Sequence, residues 1–332
     1  MERIAITGAA GFIGSELIRT IWDKNINSGS GDFHITAIDN LSTGRADRIA
    51  PFVGEKHFRF LFGDVTEKRT WTEVGPVSKV YHLADIVGIG RVTANPTATA
   101  RTALRGISLA TEHAAISGAD LFYASTSMIY GPGNPVTNED RPPAFGNHPI
   151  WTYAAAKMIG EQVVHEAERK HGLNAIIGRF FNVIGPGQSP DSGHVVARFF
   201  HQAKKNERMT VYGTGSDARS FIHVDDATEA ITKLMAKIDE IPKEKRTVNI
   251  ASGGQATSIA DLAFEIKKIT GSKSIVQVAK IRPGFADIFE NTRIRAATGA
   301  RLRELLPGWD PDQDISEILE RIHLVSIVRK YR

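Results

Sequence analysis

The sequence predicts an α/β fold: a Rossmann-type, doubly wound parallel sheet with a smaller C-terminal α/β lobe. Three observations predict this fold. Short apolar runs alternate with longer amphipathic runs through the first half of the chain, as in βαβ units. A glycine-rich turn follows the first apolar run. From about residue 183 onwards, glycine and proline separate shorter elements, which indicates a second lobe.

Each element follows from its local pattern. The apolar runs predict strands at Arg3–Thr7, His34–Asp39, Phe58–Asp64, Lys79–Ala84, Asp120–Thr126 and Asn174–Phe181. The amphipathic runs predict helices at Phe12–Asn25, Thr66–Gly75, Thr97–Ser117 and Ile150–His171. Pro96 and Gly172 fit a helix start and a helix end, because proline suits the first helical turn and glycine the residue after the last. Residues 25–32 are predicted to form a surface loop.

The length of 332 residues corresponds to about two domains. We predict that residues 1–182 and 219–253 form the Rossmann domain, because residues 219–253 are expected to return to its sheet. Residues 183–218 and 254–332 are predicted to form the second lobe.

The composition is that of a globular protein, with 42% apolar and 23% charged residues. The chain has no cysteine, which excludes disulfides, thiolate metal ligands, iron–sulfur clusters and cysteine nucleophiles. The net charge of +4 is spread along the chain and no long apolar run occurs, so neither nucleic acid nor a membrane is an expected partner. With no signal peptide before the first strand, we expect a cytoplasmic protein, and we predict no metal site.

The glycine-rich turn between the first strand and the first helix is a candidate dinucleotide site. Glycines at positions 8, 11 and 14 allow a tight turn and a close approach of the backbone to a pyrophosphate, and Phe12 and Ile13 open the helix whose N-terminus attracts it. Glycine turns are common, but this one lies between a strand and a helix, where the dinucleotide fingerprint requires it.

Two acidic residues at strand ends are candidates for the adenosine half of that cofactor. Asp39 ends the second predicted strand, where a carboxylate accepts hydrogen bonds from ribose hydroxyls and repels a 2′-phosphate, which favours NAD over NADP. Asp64 ends the third and is an equal candidate for the adenine or for a helix N-cap. Asp225 and Asp226 are better candidates for helix capping than for chemistry.

Tyr153 and Lys157 are a candidate acid–base pair, because a spacing of four places both side chains on one helical face. An ammonium beside a phenol is expected to lower the pKa of the tyrosine from its free value of about 10. Tyr153 would then act as a general base or acid, with Lys157 as its partner and as a ribose ligand. Hydroxyl groups at Ser125, Thr126 and Ser127 follow the fifth strand, where ligands of open α/β sheets bind; a Ser/Thr turn is the alternative for Ser125 and Ser127.

In this order, the motifs resemble an extended short-chain dehydrogenase/reductase of the nucleotide-sugar epimerase/dehydratase type, UDP-glucose 4-epimerase-like. The matching segments span nearly the whole chain: Thr7–Gly14, Asp39–Gly44, Gly63–Val65, His82–Ala84, Ser125–Gly131, Tyr153 and Lys157, Arg179–Asn182, Arg219–Asp226 and Arg282–Gly284.

The resemblance implies NAD as cofactor, a nucleotide sugar as substrate and a homodimer formed through the helices at Thr97–Ser117 and Ile150–His171. It implies a catalytic triad of Thr126, Tyr153 and Lys157. It extends the cofactor site beyond the glycines and acidic residues to Asn40, Val65, Leu83 and Ala84. The substrate-binding residues that it implies are Ser127, Asn182, Val195, Arg219 and Arg282, with the two arginines on the diphosphate.

The reaction predicted from the resemblance is 4-epimerisation of a UDP-hexose, by oxidation at C4 to a 4-keto sugar and return of the hydride. Similar 4,6-dehydratases carry Asp then Glu directly after the catalytic threonine, and similar UDP-glucuronate decarboxylases carry Glu at the second of these positions. This chain has Ser127 and Met128 there, and a methionine cannot transfer a proton.

Several alternatives remain at this stage. They are a UDP-glucuronate decarboxylase, a 4,6-dehydratase, a net oxidoreductase and a non-catalytic dinucleotide-binding protein. Asp85 also departs from the pattern, since it replaces the alanine that commonly follows His-Leu-Ala in these proteins.

Overall fold

A computed structural model describes residues 1–27, 29, 32–131, 136–190, 193–280, 294–312 and 314–328. Its centre is a seven-stranded parallel sheet in the order β11-β6-β5-β4-β1-β2-β3. The sheet strands are β1 Glu2–Thr7, β2 Phe33–Asp39, β3 Phe58–Phe62, β4 Lys79–His82, β5 Asp120–Thr126, β6 Ala175–Phe180 and β11 Thr247–Ile250. The order reverses between β1 and β4, and this doubly wound arrangement confirms the predicted Rossmann-type fold.

Helices cover both faces of the sheet. One face carries α1 Phe12–Asn27, α7 Val224–Ala236 and α9 Ala300–Leu305, which pack around Leu17, Ile231 and Leu302. The other carries α2 Lys68–Val74, α4 Pro96–Ser117 and α5 Trp151–His171, packed around Trp71, Ile107 and Val164. With both faces covered, strands such as β2 and β6 are buried along nearly their whole length, as expected for a parallel sheet, whereas the edge strand β3 alternates between buried and exposed residues. The short helix α3 Ile89–Ala94 precedes α4.

The smaller lobe is built from short strands and three helices around a core of its own. The helices are α6 Val195–Lys204, α8 Ile259–Thr270 and α10 Ile315–Val328, and Phe199, Leu262 and Leu319 are fully buried between them. The remaining strands are β7 Asn182–Ile184, β8 Met209–Tyr212, β9 Ala218–Arg219, β10 Phe221–His223, β12 Thr257–Ser258, β13 Val276–Ala279 and β14 Ile294–Arg295. The division of the chain into two lobes at residues 182, 218 and 253 stays a prediction.

The helix ends follow the predicted capping. The side chain of Asn95 accepts a hydrogen bond from the backbone N–H of Ala98, and Pro96 occupies the first turn of α4. Gly172 adopts a left-handed conformation (φ 65°) directly after α5. Residues 25–27, predicted as part of a loop, instead extend α1, and the side chain of Asn25 donates to the carbonyl of Ile21 within the helix.

The prediction for Asp225 and Asp226 is wrong in detail. The N-cap of α7 is His223, whose Nδ1 accepts from the backbone N–H of Asp225. Both aspartates lie in the first turn and bind Arg321 of α10 at 2.9 and 3.1 Å. They therefore tie the C-terminal helix to the main domain. None of the described helices is both long and apolar enough to cross a bilayer.

A glycine-to-alanine pair tests the packing of α5 on the sheet. A Cβ atom at Gly160 would lie 2.2 Å from the Tyr123 hydroxyl, whereas one at Gly90 in α3 would meet nothing within 4 Å. Alanine favours helices by about 1 kcal/mol, but the clash at position 160 forces repacking that costs about 1–3 kcal/mol. We expect Gly160→Ala to lower the urea midpoint and Gly90→Ala to leave it unchanged or raise it. Equal stability of Gly160→Ala and the wild type would contradict this packing.

Candidate active site

The glycine turn lies at the C-terminal end of β1, beside the position where the strand order reverses. Gly8 has a φ of +66°, and a Cβ atom there would lie 2.9 Å from the backbone nitrogen of Ala84. A Cβ atom at Gly14 would lie 2.1 Å from the carbonyl oxygen of Gly8. Side chains at these two positions would collide with the backbone, so the tight turn requires glycine. The turn leads into the N-terminus of α1, at Phe12 and Ile13, where backbone N–H groups can bind an anion. This geometry fits the pyrophosphate of a dinucleotide.

Asp39 at the end of β2 holds this turn in place. One carboxylate oxygen accepts from the backbone N–H of Ala10 at 3.0 Å, and the other from that of Leu41 at 2.7 Å. Burial raises the pKa of Asp39 above its usual value, and the two backbone hydrogen bonds and Arg48 oppose the shift. Its contact with a cofactor ribose stays a prediction.

Asp64 also binds backbone, but it is not the N-cap of α2. Its Oδ1 accepts from the backbone N–H of Thr66, and its Oδ2 accepts from the Asn40 amide at 3.1 Å. This turn delays the helix, so that α2 begins at Lys68 rather than at the predicted Thr66. Val65 is buried beneath the turn, and Asp64 and Asn40 lie side by side, beyond the ends of β3 and β2.

The hydroxyl of Thr7 joins the ends of β1 and β4. It accepts from the backbone N–H groups of Leu83 and Ala84 at 3.1 and 3.2 Å and lies 3.0 Å from His82 Nδ1. These bonds turn the chain away from the sheet after His82, which is why β4 ends two residues before the predicted Ala84. Burial, helped by the charge of Lys157, lowers the pKa of His82 to about 3, so the ring is neutral at physiological pH.

The structure brings the three predicted catalytic side chains together where β5 meets α5. The Thr126 hydroxyl lies close enough to Tyr153 to lower its pKa, and the Lys157 ammonium lies 5.9 Å from the centre of the Tyr153 ring. Lys157 donates to the carbonyl of Ala124 at 2.7 Å. The catalytic roles of the three residues stay predictions.

The expected effect of Lys157 on Tyr153 is not found. Desolvation of the partly buried ring raises the pKa of Tyr153 far above its free value, and the negative charge of Asp85 raises it further, whereas the Thr126 hydroxyl opposes this shift. Lys157 instead pairs with Asp85, with 2.7 Å between Nζ and Oδ2. Both side chains of the pair are at most 3% exposed.

A buried polar network lies under the catalytic side chains and positions α5. Glu161 accepts two hydrogen bonds from the guanidinium of Arg179 on β6 and a third, at 2.5 Å, from the Ser125 hydroxyl. Arg179 also donates to the Tyr130 hydroxyl at 2.9 Å. Ser125 therefore belongs to this network, and the sequence offered no signal for Glu161, whose partners come from other elements.

The predicted substrate residues come from several separate elements. Ser127 is buried at the start of a short 3-10 turn, and the Asn182 amide donates to the carbonyl of Ser220 at 2.8 Å. Val195 begins α6 and packs against the core of the smaller lobe. Arg219 lies on β9 and donates to the carbonyl of Ala218. Arg282 lies outside the described residues, and binding by the other four stays a prediction.

Arg295 is a further basic residue of the site that the sequence analysis missed. It is the register partner of Arg219 in the parallel pair β9–β14, and it lines a narrow cleft together with Ser127 and Arg141. Burial and the like charge of Arg219 lower the pKa of Arg295 to about 10. It therefore remains a cation at neutral pH, and it stands beside a second arginine in the register of β9 and β14. The neighbouring positions of Arg219 and Arg295 follow from the pairing of two short strands that are far apart in the sequence. No local sequence pattern predicts such a pairing.

Comparisons with known proteins agree with this arrangement. The profile of the NAD-dependent epimerase/dehydratase family matches residues 4–251. UDP-glucuronic acid decarboxylase 5 of Arabidopsis thaliana is 30% identical over 95% of this chain and 86% of its own length. UDP-glucuronic acid decarboxylase 1 of Danio rerio is 31% identical over 96% and 71%.

Solved structures share the fold. The UDP-glucose 4-epimerase of Thermotoga maritima, solved with UDP-glucose, has a TM-score of 0.83 at 24% identity and covers 99% of this chain and 100% of its own. A mutant UDP-glucuronic acid 4-epimerase of Bacillus cereus, solved with a fluorinated UDP-glucuronic acid and NAD, has a TM-score of 0.83 at 25% identity, with coverage of 99% and 100%.

The position of Asp39 predicts how the protein discriminates between dinucleotides. We expect NAD to bind at least about tenfold more tightly than NADP, because the carboxylate repels a 2′-phosphate. Asp39→Asn removes the charge, so it should weaken NAD binding and reduce the difference in affinity between NAD and NADP in calorimetric titrations. Asp47→Asn, at an exposed ion pair with Arg45, is the matched control and should change neither affinity. An unchanged difference in Asp39→Asn would contradict the assignment.

Proposed function

The chain belongs to the NAD-dependent epimerase/dehydratase family, and on that premise we propose that it decarboxylates a UDP-hexuronate, UDP-glucuronate in the first instance. NAD is its cofactor. The observation that carries the proposal is the similarity to UDP-glucuronic acid decarboxylases over nearly the whole chain, at 29–31% identity. Arg295 at the substrate side agrees with an acidic sugar. The relatives therefore support decarboxylation over 4-epimerisation of a neutral hexose, the reaction predicted first.

The described residues fit the cofactor. The turn at Gly8, Gly11 and Gly14 would hold the pyrophosphate, Asp39 the adenosine ribose and Lys157 the nicotinamide ribose. Bound NAD supplies the acceptor, and later the donor, of a hydride at C4 of the sugar.

The proton of the C4 hydroxyl passes to the chain's own residues. Tyr153 is the proposed general base and Thr126 its partner, because the two side chains interact at the end of β5. When C4 is reduced again, Tyr153 returns the proton to the C4 oxygen.

The carboxylate at C6 leaves because a ketone at C4 makes the sugar a β-keto acid. The C5–C6 bond breaks, C6 leaves as carbon dioxide and the electron pair stays at C5 as an enolate, which then takes a proton from water at C5. We assign Arg295 and Ser127 to the carboxylate, since they line one cleft and a guanidinium with a hydroxyl suits that group. We assign Arg219 to the diphosphate.

A second candidate is 4-epimerisation of the same UDP-hexuronate. It is favoured by Met128, which stands where the resemblance places the acid of the decarboxylases. The Met128 side chain packs against an apolar cluster with Ile150 and Trp151, so it contributes neither a proton nor a charge. The likeness to the Bacillus cereus UDP-glucuronic acid 4-epimerase supports the same substrate.

Product analysis tests the function. Purified protein with NAD and UDP-glucuronate is expected to release carbon dioxide and a UDP-pentose, seen by mass spectrometry as a loss of about 44 mass units, with no net reduction of NAD. An isomer of unchanged mass, identified by NMR as the C4 epimer, would establish the second candidate instead. Turnover of UDP-glucose with none of UDP-glucuronate would overturn both. Tyr153→Phe should abolish either reaction and retain substrate binding.

Two arginine variants separate recognition of the sugar from that of the diphosphate. We expect Arg295→Met to weaken the binding of UDP-glucuronate by about 30- to 100-fold and the binding of UDP-glucose much less. The reason is that a charged hydrogen bond to a carboxylate contributes about 2–3 kcal/mol. Arg219→Met is the matched control and should weaken both nucleotide sugars alike. Equal losses with the two sugars in Arg295→Met would place Arg295 on the diphosphate.

The homodimer implied by the resemblance is also a proposal. Helices α4 and α5 pack side by side, and each exposes an isoleucine, Ile116 at 80% and Ile159 at 51%. These side chains would be covered if two copies joined along the helices.

A further inference from the structure

Asp85 lies in the loop after β4, between the glycine turn and α5. The preceding residue, Ala84, packs closely against Gly8: a Cβ atom at Gly8 would clash with the backbone of Ala84. One carboxylate oxygen of Asp85 accepts from the backbone N–H of Ile86 at 2.7 Å, and the other faces Lys157. The carboxylate is therefore held rigidly, 2% exposed, at the centre of the site.

The ammonium of Lys157 is committed on two sides. It lies 2.7 Å from the Asp85 carboxylate and 2.7 Å from the Ala124 carbonyl. It also lies 4.8 Å from the centre of the Tyr123 ring and 5.9 Å from that of Tyr153. The carboxylate of Asp85 compensates the positive charge of Lys157, which leaves less of that charge to stabilise the Tyr153 phenolate.

We propose that Asp85 is a positioning residue of the reaction, which holds Lys157 away from Tyr153 and so moves the acid limb of the pH–rate profile to higher pH. The inference rests on the proposed roles of Tyr153 and Lys157, and it holds for either candidate reaction. Asp85 acts in two ways: it takes up the charge of Lys157, and its own charge opposes ionisation of Tyr153.

The other ionisable groups around the pair do not supply this effect. His82 on β4 is neutral, with a pKa lowered to about 3, and Tyr123 on β5 has a pKa raised well above its usual value by burial. Glu161 on α5 is neutralised by the two hydrogen bonds from Arg179 on β6. Among the described residues packed around Lys157, Asp85 therefore supplies the carboxylate that is in ion contact with it.

The sign of the pH effect follows from the proton that Tyr153 must lose. A group whose pKa is raised stays protonated to higher pH, so a reaction that needs the phenolate speeds up as the pH approaches that pKa. Removing the Asp85 charge frees Lys157 to stabilise the phenolate, which lowers the pKa and shifts the acid limb to lower pH.

The test compares Asp85→Asn, which keeps the shape and removes the charge, with Asp85→Glu, which keeps the charge. Carbon-13 NMR of labelled tyrosine follows ionisation without substrate, and Tyr153→Phe in each background assigns the signal among the six tyrosines. In the wild type we expect Tyr153 to titrate above the free value of about 10. In Asp85→Asn it should titrate about one to three pH units lower, and the acid limb of kcat/KM should follow. Asp85→Glu should resemble the wild type.

Three results would overturn the inference: Tyr153 titrating below about 10 in the wild type, an unchanged Tyr153 titration in Asp85→Asn, or a loss of activity in Asp85→Asn that is equal at every pH. The first needs no substitution at Asp85, only Tyr153→Phe to assign the signal, so the inference stays testable if Asp85→Asn does not fold. Because the titration needs no nucleotide sugar, failure of the proposed substrate assignment and failure of this inference are distinguishable.

Discussion

The hydroxyl of Thr7 is the interaction on which the site depends. It binds two backbone N–H groups beyond β4 and the ring of His82, and it thereby joins the two strands between which the sheet changes direction. The glycine turn that follows β1 and the loop that carries Asp85 both leave the sheet at this point. A crevice opens there because successive helices cross to opposite faces, and the Thr7 bonds define its width.

Around this crevice, the polar side chains of the sheet and α5 form two layers, a buried ion pair and, above it, the proposed catalytic residues. The lower layer is the buried pair of Glu161 and Arg179, with Ser125 and Tyr130 attached. A buried ion pair gains little net stability, because desolvation offsets much of the Coulomb energy, but losing either partner leaves an uncompensated charge. Its value is therefore geometric: it aligns α5 with β5 and β6, so that Tyr153 meets Thr126 in the layer above.

Local patterns in the sequence predict much of this architecture. Strand β5 was predicted to the residue, the other sheet strands of the first half to within two, and the glycine turn, Asp39, Thr126, Tyr153 and Lys157 lie around one crevice. These features depend on neighbours in the chain: apolar runs, a spacing of four on a helix, a glycine before a helix. The pattern could not predict the ion pair of Lys157 with Asp85, the register of Arg295 beside Arg219 or the partners of Glu161, because each joins residues from separate elements. The predicted lowering of the Tyr153 pKa was wrong, because desolvation of the ring raises this pKa, and the charge of Asp85, which comes from a different loop, raises it further.

The edge strand β11 has a consequence for how the chain is made. It pairs with β6 through residues 247–250, about 70 residues after its partner, so the ribosome releases β6 long before the strand that covers it. During that interval β6 presents unpaired N–H and C=O groups along an apolar strand, which is the arrangement that invites pairing with another nascent chain. Fragments that stop short of residue 250 keep this open edge permanently. The sheet is thus completed late in synthesis, and the smaller lobe is partly made before the larger one is closed.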